Sequence, residues 1–141
     1  MTSVCFDTSA LVALFVGDEF GERAERYIGE QNPTILVSDF AAVEFASAVS
    51  RLVRMRLLSR SAAAGVFTDF DAWRRGSTTG IAIGAEDLAS AEAFLRRLEF
   101  NLRAGDAIHI GVAQRAQAAL ATFDQRMAEV AAMLGVEVAP A

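Results

Sequence analysis

The chain contains no lysine: all 13 basic residues are arginine, set against 18 acids, for a net charge of −5 over 141 residues. Mechanisms that need a lysine are thereby excluded. There is a single cysteine, Cys5, so no intramolecular disulfide can form, which agrees with a reducing compartment. Cys5 stands in "SVCF" among apolar strand formers and reads as a buried small hydrophobe, not a nucleophile. With one histidine, His109, and no cysteine cluster, the ligand sets of zinc sites are missing. Pro33 and Pro140 fall at a segment junction and in the tail, and no linker, repeat or low-complexity tract divides the chain. The apolar run "ALVALFV" is too short to span a bilayer, and the first residues lack the positive region of a secretory signal. A cytoplasmic protein without membrane contact is the expectation. The shortage of positive charge argues against a general nucleic-acid-coating protein but leaves room for a local basic rim.

What is present is 53% apolar, much of it alanine, over a length that fits one domain with a single core, residues 1–141. "SVCF" (3–6), "TILV" (34–37), "TGIAI" (79–83), "ALATF" (119–123) and "VEVA" (136–139) read as short buried strands. Helical patterns run over roughly 19–31, 39–56, 59–75, 85–99, 105–118 and 125–134, with a short helix opening at Thr8 or Ser9. Strands alternating with helices predict an α/β fold, a three-layer α/β/α sandwich on a mostly parallel sheet. In such a sheet the carboxyl ends of the strands share one edge, where ligands collect.

Four acids are predicted at that edge. Asp7 directly follows "SVCF" and Asp124 follows "ALATF". Asp106 lies near the start of the helix leading into "ALATF". Glu44 lies in "SDFAAVEFASAV", six residues past Ser38, or roughly 9 Å down a helix at ~1.5 Å per residue. Its side chain tilts back toward the N-terminus, and Ala41 and Ala48 leave room beside it. Asp7, Asp106 and Asp124 all occupy positions expected of N-cap aspartates, so each alone has a structural explanation. Glu44 is harder to explain, because Phe40, Val43, Phe45 and Val49 surround it in sequence and a buried carboxylate needs a partner. Converging carboxylates repel unless a cation sits among them. Oxygen-only donors favour magnesium or manganese, ions suited to activating water and neutralising a scissile phosphate.

"FDTSALVALF", "SDFAAVEFASAV", "RAGDAIHIGVA" and "ATFDQRM" resemble, in order and spacing, the four motifs of PIN-domain ribonucleases, and within them the VapC-type toxins of toxin–antitoxin pairs. The resemblance runs over essentially the whole chain, including "MLGVEV". It implies a Mg2+- or Mn2+-dependent endoribonuclease that cuts RNA by water attack. It implies that Asp7 and Asp106 bind the metal most directly, with Glu44 and Asp124 completing the catalytic and metal-binding set. Thr8 or Ser9 beside the first acid, and Thr122 beside the last, are implied as supporting hydroxyls. Related chains often have proline where Gly105 stands, so Gly105 is expected to loosen the start of its helix. The implied partners are RNA, a VapB-type antitoxin plugging the acidic pocket, and a second copy of the chain, giving a homodimer and, with antitoxin, a heterotetramer or larger.

His109, three positions after Asp106, shares its helix face but is flanked by Ile108, Ile110 and Val112; it reads as a packing or hydrogen-bonding neighbour, not the chemical partner. Arg51, Arg54, Arg56 and Arg60, with Arg74, Arg75, Arg96 and Arg97, fit helix C-termini and are expected mostly at the opposite edge. Arg103 is close enough in sequence to Asp106 to touch a phosphate. Asp18, Glu19, Asp39, Glu86 and Asp87 fit helix first turns. Asp69 and Asp71 read as solvated face, and Phe67, Phe70 and Trp73 as core. A haloacid-dehalogenase-type phosphatase would need an aspartate where Ser9 stands and a lysine. A phosphoacceptor receiver domain would also need a lysine, so both are set aside. A catalytically silent PIN module binding RNA or a protein is the remaining alternative, and the intact acids argue against it.

Overall fold

A computed structural model describes residues 2–140. The elements run β1 Ser3–Phe6, α1 Thr8–Val12 with a π-helical continuation over Ala13–Gly17, α2 Gly21–Gln31, β2 Thr34–Ser38 and α3 Asp39–Arg54. Then come α4 Arg60–Ser77, β3 Thr79–Ile81, α5 Ala85–Arg96, α6 Ala104–Ala116, β4 Ala119–Ala121, α7 Gln125–Met133 and β5 Val138–Ala139. The five strands pair in the order β3-β2-β1-β4-β5, every pair parallel. Among the described residues, no helix is long and apolar enough to cross a membrane.

Side-chain alternation divides the interior. Val4 and Phe6 of β1, with Ile35 and Val37 of β2, point into a layer formed with Leu11, Phe45 and Phe70. Cys5 and Leu120 point the other way, against Ile110, Val112 and Met127. The single expected core is therefore two, one on each face of the sheet, as a three-layer sandwich requires. Phe15, carried by the π-helical turn, meets the rings of Phe45, Phe70 and Trp73 edge-on at 6.0, 5.5 and 5.0 Å, so the expected aromatic core forms between α1, α3 and α4. Burial pushes the Cys5 thiol up to about 12, with the Arg115 charge opposing and that of Asp87 assisting, so the thiol stays protonated and inert.

Three strands are shorter than their apolar runs because neighbouring backbone groups bond elsewhere, to side chains after β3 and β4 and to a helix carbonyl before β5. After β3, the Ile83 N–H donates to Asp39 Oδ1 at 2.9 Å. After β4, the Phe123 N–H donates to Ser9 Oγ at 2.9 Å and the Asp124 N–H to Thr122 Oγ1 at 3.1 Å. Before β5, the Val136 N–H still closes the end of α7 by donating to Ala131. Asp124 is thus three residues past its strand rather than directly behind it.

The sheet order explains the site's location. The chain proceeds from β1 outward to β3, then crosses over to β4 on the opposite side of β1. The carboxyl ends of β1 and β4 flank the point where strand order reverses, the crevice in which α/β sheets place ligands.

Candidate active site

Asp7, Glu44, Asp106 and Asp124 line one open cavity of about 730 Å³ at that crevice. Asp7 is 3% exposed and caps α1, its Oδ1 accepting from the Ala10 N–H at 2.9 Å and from Ser9 Oγ at 2.7 Å. Asp124 caps α7 through Oδ1, which accepts from the Met127 N–H at 3.1 Å. For these two the capping explanation holds, and it commits one oxygen each to the helix. Asp106 differs from the expectation: Arg103 is the N-cap and Asp106 is the third residue of α6, its Oδ2 reached among the described residues by the Arg103 N–H alone, at 3.5 Å. One carboxylate oxygen of each aspartate is therefore outside the capping bonds.

Glu44 has found its partners. Its Oε1 accepts from Thr8 Oγ1 at 2.8 Å and lies 2.6 Å from His109 Nε2. His109, 5% exposed and packed on the Phe40 ring, is thus the hydrogen-bonding residue the sequence suggests, and its partner is the second acid. With Glu44 ionised, Nε2 must carry the hydrogen. The His109 bond, helped by Thr8 and opposed by burial, holds the Glu44 carboxyl below its ordinary value.

The aspartates go the other way. Burial pushes Asp7 up, against the opposing bonds from Thr122, Ala10 and Ser9. Asp106 is also raised, by burial first, with the Arg103 N–H opposing and the charge of Asp124 adding to the rise. Asp106 and Asp124 therefore repel across the cavity, and ionising the set costs free energy that a cation would return. The donor set fits such a cation by chemistry, being all oxygen at an edge open to solvent. Among the described residues, no three acidic, imidazole or thiol side chains converge tightly enough to ligate an ion as they stand. The bonds just described explain this, since each acid is turned toward an internal donor.

The three hydroxyls are all engaged. Thr8 and Ser9 both take part, Thr8 with the second acid and Ser9 with the first. Ser9 Oγ also lies 3.3 Å from Thr122 Oγ1, stitching the first turn of α1 to the segment after β4. Gly105 is the second residue of α6. An ideal Cβ there would come within 2.6 Å of Glu44 Oε2, so glycine leaves the space the Glu44 carboxylate uses.

Three arginines of the region depart from the sequence reading or were missed by it. Arg51 and Arg54 line the acidic cavity, although α3 does run away from the edge, because the cavity runs down α3 with them. Arg103 lines it too, as its sequence position suggests. Arg126, in the first turn of α7, carries no signal in composition or spacing; its charge bears on Asp106, and its Nε is buried with no hydrogen-bond partner among the described residues.

The sequence matches the PIN domain family over residues 4–133. Ribonuclease VapC3 of Pyrobaculum aerophilum is 29% identical over 123 residues, covering 87% of this chain and 90% of that protein. The fold is similar to that of the Mycobacterium tuberculosis toxin VapC20, described as cleaving the sarcin-ricin loop, with a TM-score of 0.69 at 20% identity over 90% of this chain and 94% of that one. It is also similar to a chain of VapBC2 from Rickettsia felis, solved with a DNA fragment from their promoter, with a TM-score of 0.73 at 13% identity over 97% of both chains. From the four ordered acid motifs, the parallel sheet that gathers them and a family match spanning nearly the whole sequence, this chain belongs to the PIN domain family.

Proposed function

We propose that the chain is a magnesium- or manganese-dependent endoribonuclease and the toxin of a toxin–antitoxin pair, with residues 1–141 acting as one PIN-like domain. The observation that carries the proposal is the meeting of Asp7, Glu44, Asp106 and Asp124 on one cavity at the switch point of the sheet. The similarity to proteins named as VapC ribonucleases and toxins supports the substrate and the role.

Asp7 and Asp106 would hold the metal through the oxygens that do not cap α1 or meet Arg103, with Asp124 opposite Asp106 completing the negative field. When bound, the ion supplies Lewis-acid polarisation of the scissile phosphate and a water of lowered pKa. Glu44, held ionised by His109 and Thr8, would accept a hydrogen bond from an attacking water and orient it. Ser9 and Thr122 fix Asp7 and the Asp124 turn relative to each other, which would limit how far those two carboxylates must move to share an ion. None of these side chains forms a covalent bond to RNA in this reading.

The same charge would attract the basic residue of an antitoxin tail, in keeping with the VapBC complexes among the structural relatives. Pairing with a second copy of the chain, in a homodimer, belongs to the same proposal.

Incubation of the purified chain with single-stranded RNA tests the reading. Cleavage is expected with added Mn2+ or Mg2+, to stop in excess EDTA and to return when the ion is restored. Cleavage that continues unchanged in EDTA would contradict it.

A further inference from the structure

The cavity that holds the acids does not end with them. It follows one face of α3, where Glu44, Ser47, Ala48, Arg51, Arg54 and Met55 recur at helical spacing. At ~1.5 Å per residue, Arg51 and Arg54 stand roughly 10 and 15 Å along the helix from Glu44.

Charges near the end of α3 suit the helix macrodipole, but that accounts for arginine at the C-terminus and not for arginine facing the acidic cavity. Arg96, Arg97 and Arg115 each pair with a carboxylate, whereas among the described residues Arg51 and Arg54 form no ion pair. Arg54 spends one N–H on Ser50 Oγ at 2.8 Å and keeps the rest of its guanidinium unbonded to other described residues. A chain with net charge −5 repels a polyanion at long range, so any attraction near the four acids must be supplied locally. Beside the arginines the wall turns apolar, with Met55 53% and Leu57 67% exposed. Cations for phosphates next to apolar side chains for base faces form a surface suited to an unpaired strand. The Phe123 ring next to Asp124 offers no such base face, because it is stacked on Phe20 at 4.9 Å and covered by Arg23.

We propose that Arg51 and Arg54 hold backbone phosphates of single-stranded RNA on one side of the scissile bond, with Met55 and Leu57 against its bases. This deepens the nuclease reading and rests on it for the position of the scissile phosphate. The arginines are binding residues and touch no reacting atom.

The test is binding of a fluorescent single-stranded oligoribonucleotide in EDTA at several salt concentrations, with cleavage under Mn2+ measured separately. R51A/R54A is expected to weaken binding by about tenfold or more at low salt. The slope of log K against log salt should flatten by about 1.4, at ~0.7 for each phosphate left without its arginine. Under Mn2+ the loss should appear mainly in KM. R51K/R54K should keep most of the salt slope, because lysine still neutralises a phosphate. R75A, at the far end of α4, should match the parent. Parental affinity and slope in R51A/R54A would overturn the inference while leaving metal-supported cleavage, and so the nuclease reading, standing. Undiminished RNA binding with loss of the co-expressed antitoxin would overturn it in favour of a protein-binding face. A parent that binds RNA with the expected slope but never cuts it would retire the nuclease reading and leave the arginine–phosphate pairing in place.

Discussion

Asp106→Asn is expected to lower metal-supported RNA cleavage by on the order of a thousandfold, about 4 kcal/mol of transition-state stabilisation, the range a bound metal supplies. The fold should not suffer. Among the described residues Asp106 makes only a 3.5 Å bond to the Arg103 N–H, and burial together with the Asp124 charge raises its pKa. A carboxyl raised on folding binds its proton more tightly in the native state, so its contribution to stability falls as pH rises from the ordinary value of 3.8 through the raised one. At neutral pH, ionised Asp106 therefore costs stability, and asparagine removes that cost. In metal-free buffer at pH 7 the variant should unfold at the parent's temperature or above it, and the difference should vanish well below pH 3.8. A variant both inactive and clearly less stable would assign Asp106 a structural role instead. Activity lost while stability is kept or gained is the signature of a residue retained for function at a cost to the fold.

Asp87→Ala should do the opposite, destabilising the chain without touching the chemistry. Asp87 is 1% exposed, and the Arg115 guanidinium grips it through Nε and Nη2 at 2.7 and 3.0 Å. Its Oδ2 also accepts from the Gly84 N–H at 2.9 Å, capping α5, while Arg115 reaches on to the Ala82 carbonyl at 2.8 Å. The pair joins the start of α5 to the end of α6, whose backbones approach closely where Gly111 faces the Asp87 carbonyl; a Cβ there would lie 3.1 Å from that oxygen. Losing the cap and the charge-assisted bonds should cost about 2–4 kcal/mol, a fall in Tm of roughly 10 °C. Burial alone would raise the Asp87 carboxyl, but Arg115 and the Gly84 N–H outweigh it and hold it below 3.8. The sign is therefore reversed relative to Asp106: the stabilisation is present above the ordinary value and is lost as pH falls through the lowered one. Thermal scans of parent and variant should converge only in strongly acidic buffer. Equal stability at pH 7 would show that α5 and α6 are held by packing alone.

These two residues also show where sequence is readable. Both are first-turn aspartates, and nothing in composition separates them. Asp106 is identified by the motif around it and by its place before the strand that leads to Asp124. Asp87 reads only as a helix-start residue, because its partner lies 28 positions away on another helix. The parallel sheet and the edge that gathers the acids follow from the strand–helix alternation, and all five strands form. Their ends do not follow, because they are set by single side chains such as Asp39 and Ser9 bonding across distant turns. His109 is readable as a hydrogen-bonding residue, yet its partner Glu44 is 65 positions away and can be named only from the folded chain. Arg51 and Arg54 mislead for a related reason: helix direction is legible in sequence, but the length of the groove beside the helix is not.

The most direct test of the shared cation site is a crystal grown with manganese and probed by anomalous scattering. A manganese peak bonded to carboxylate oxygens of Asp7 and Asp106, with Glu44 and Asp124 facing it, is the predicted result. Well-ordered acids around a cavity that holds only water at saturating manganese would contradict the account.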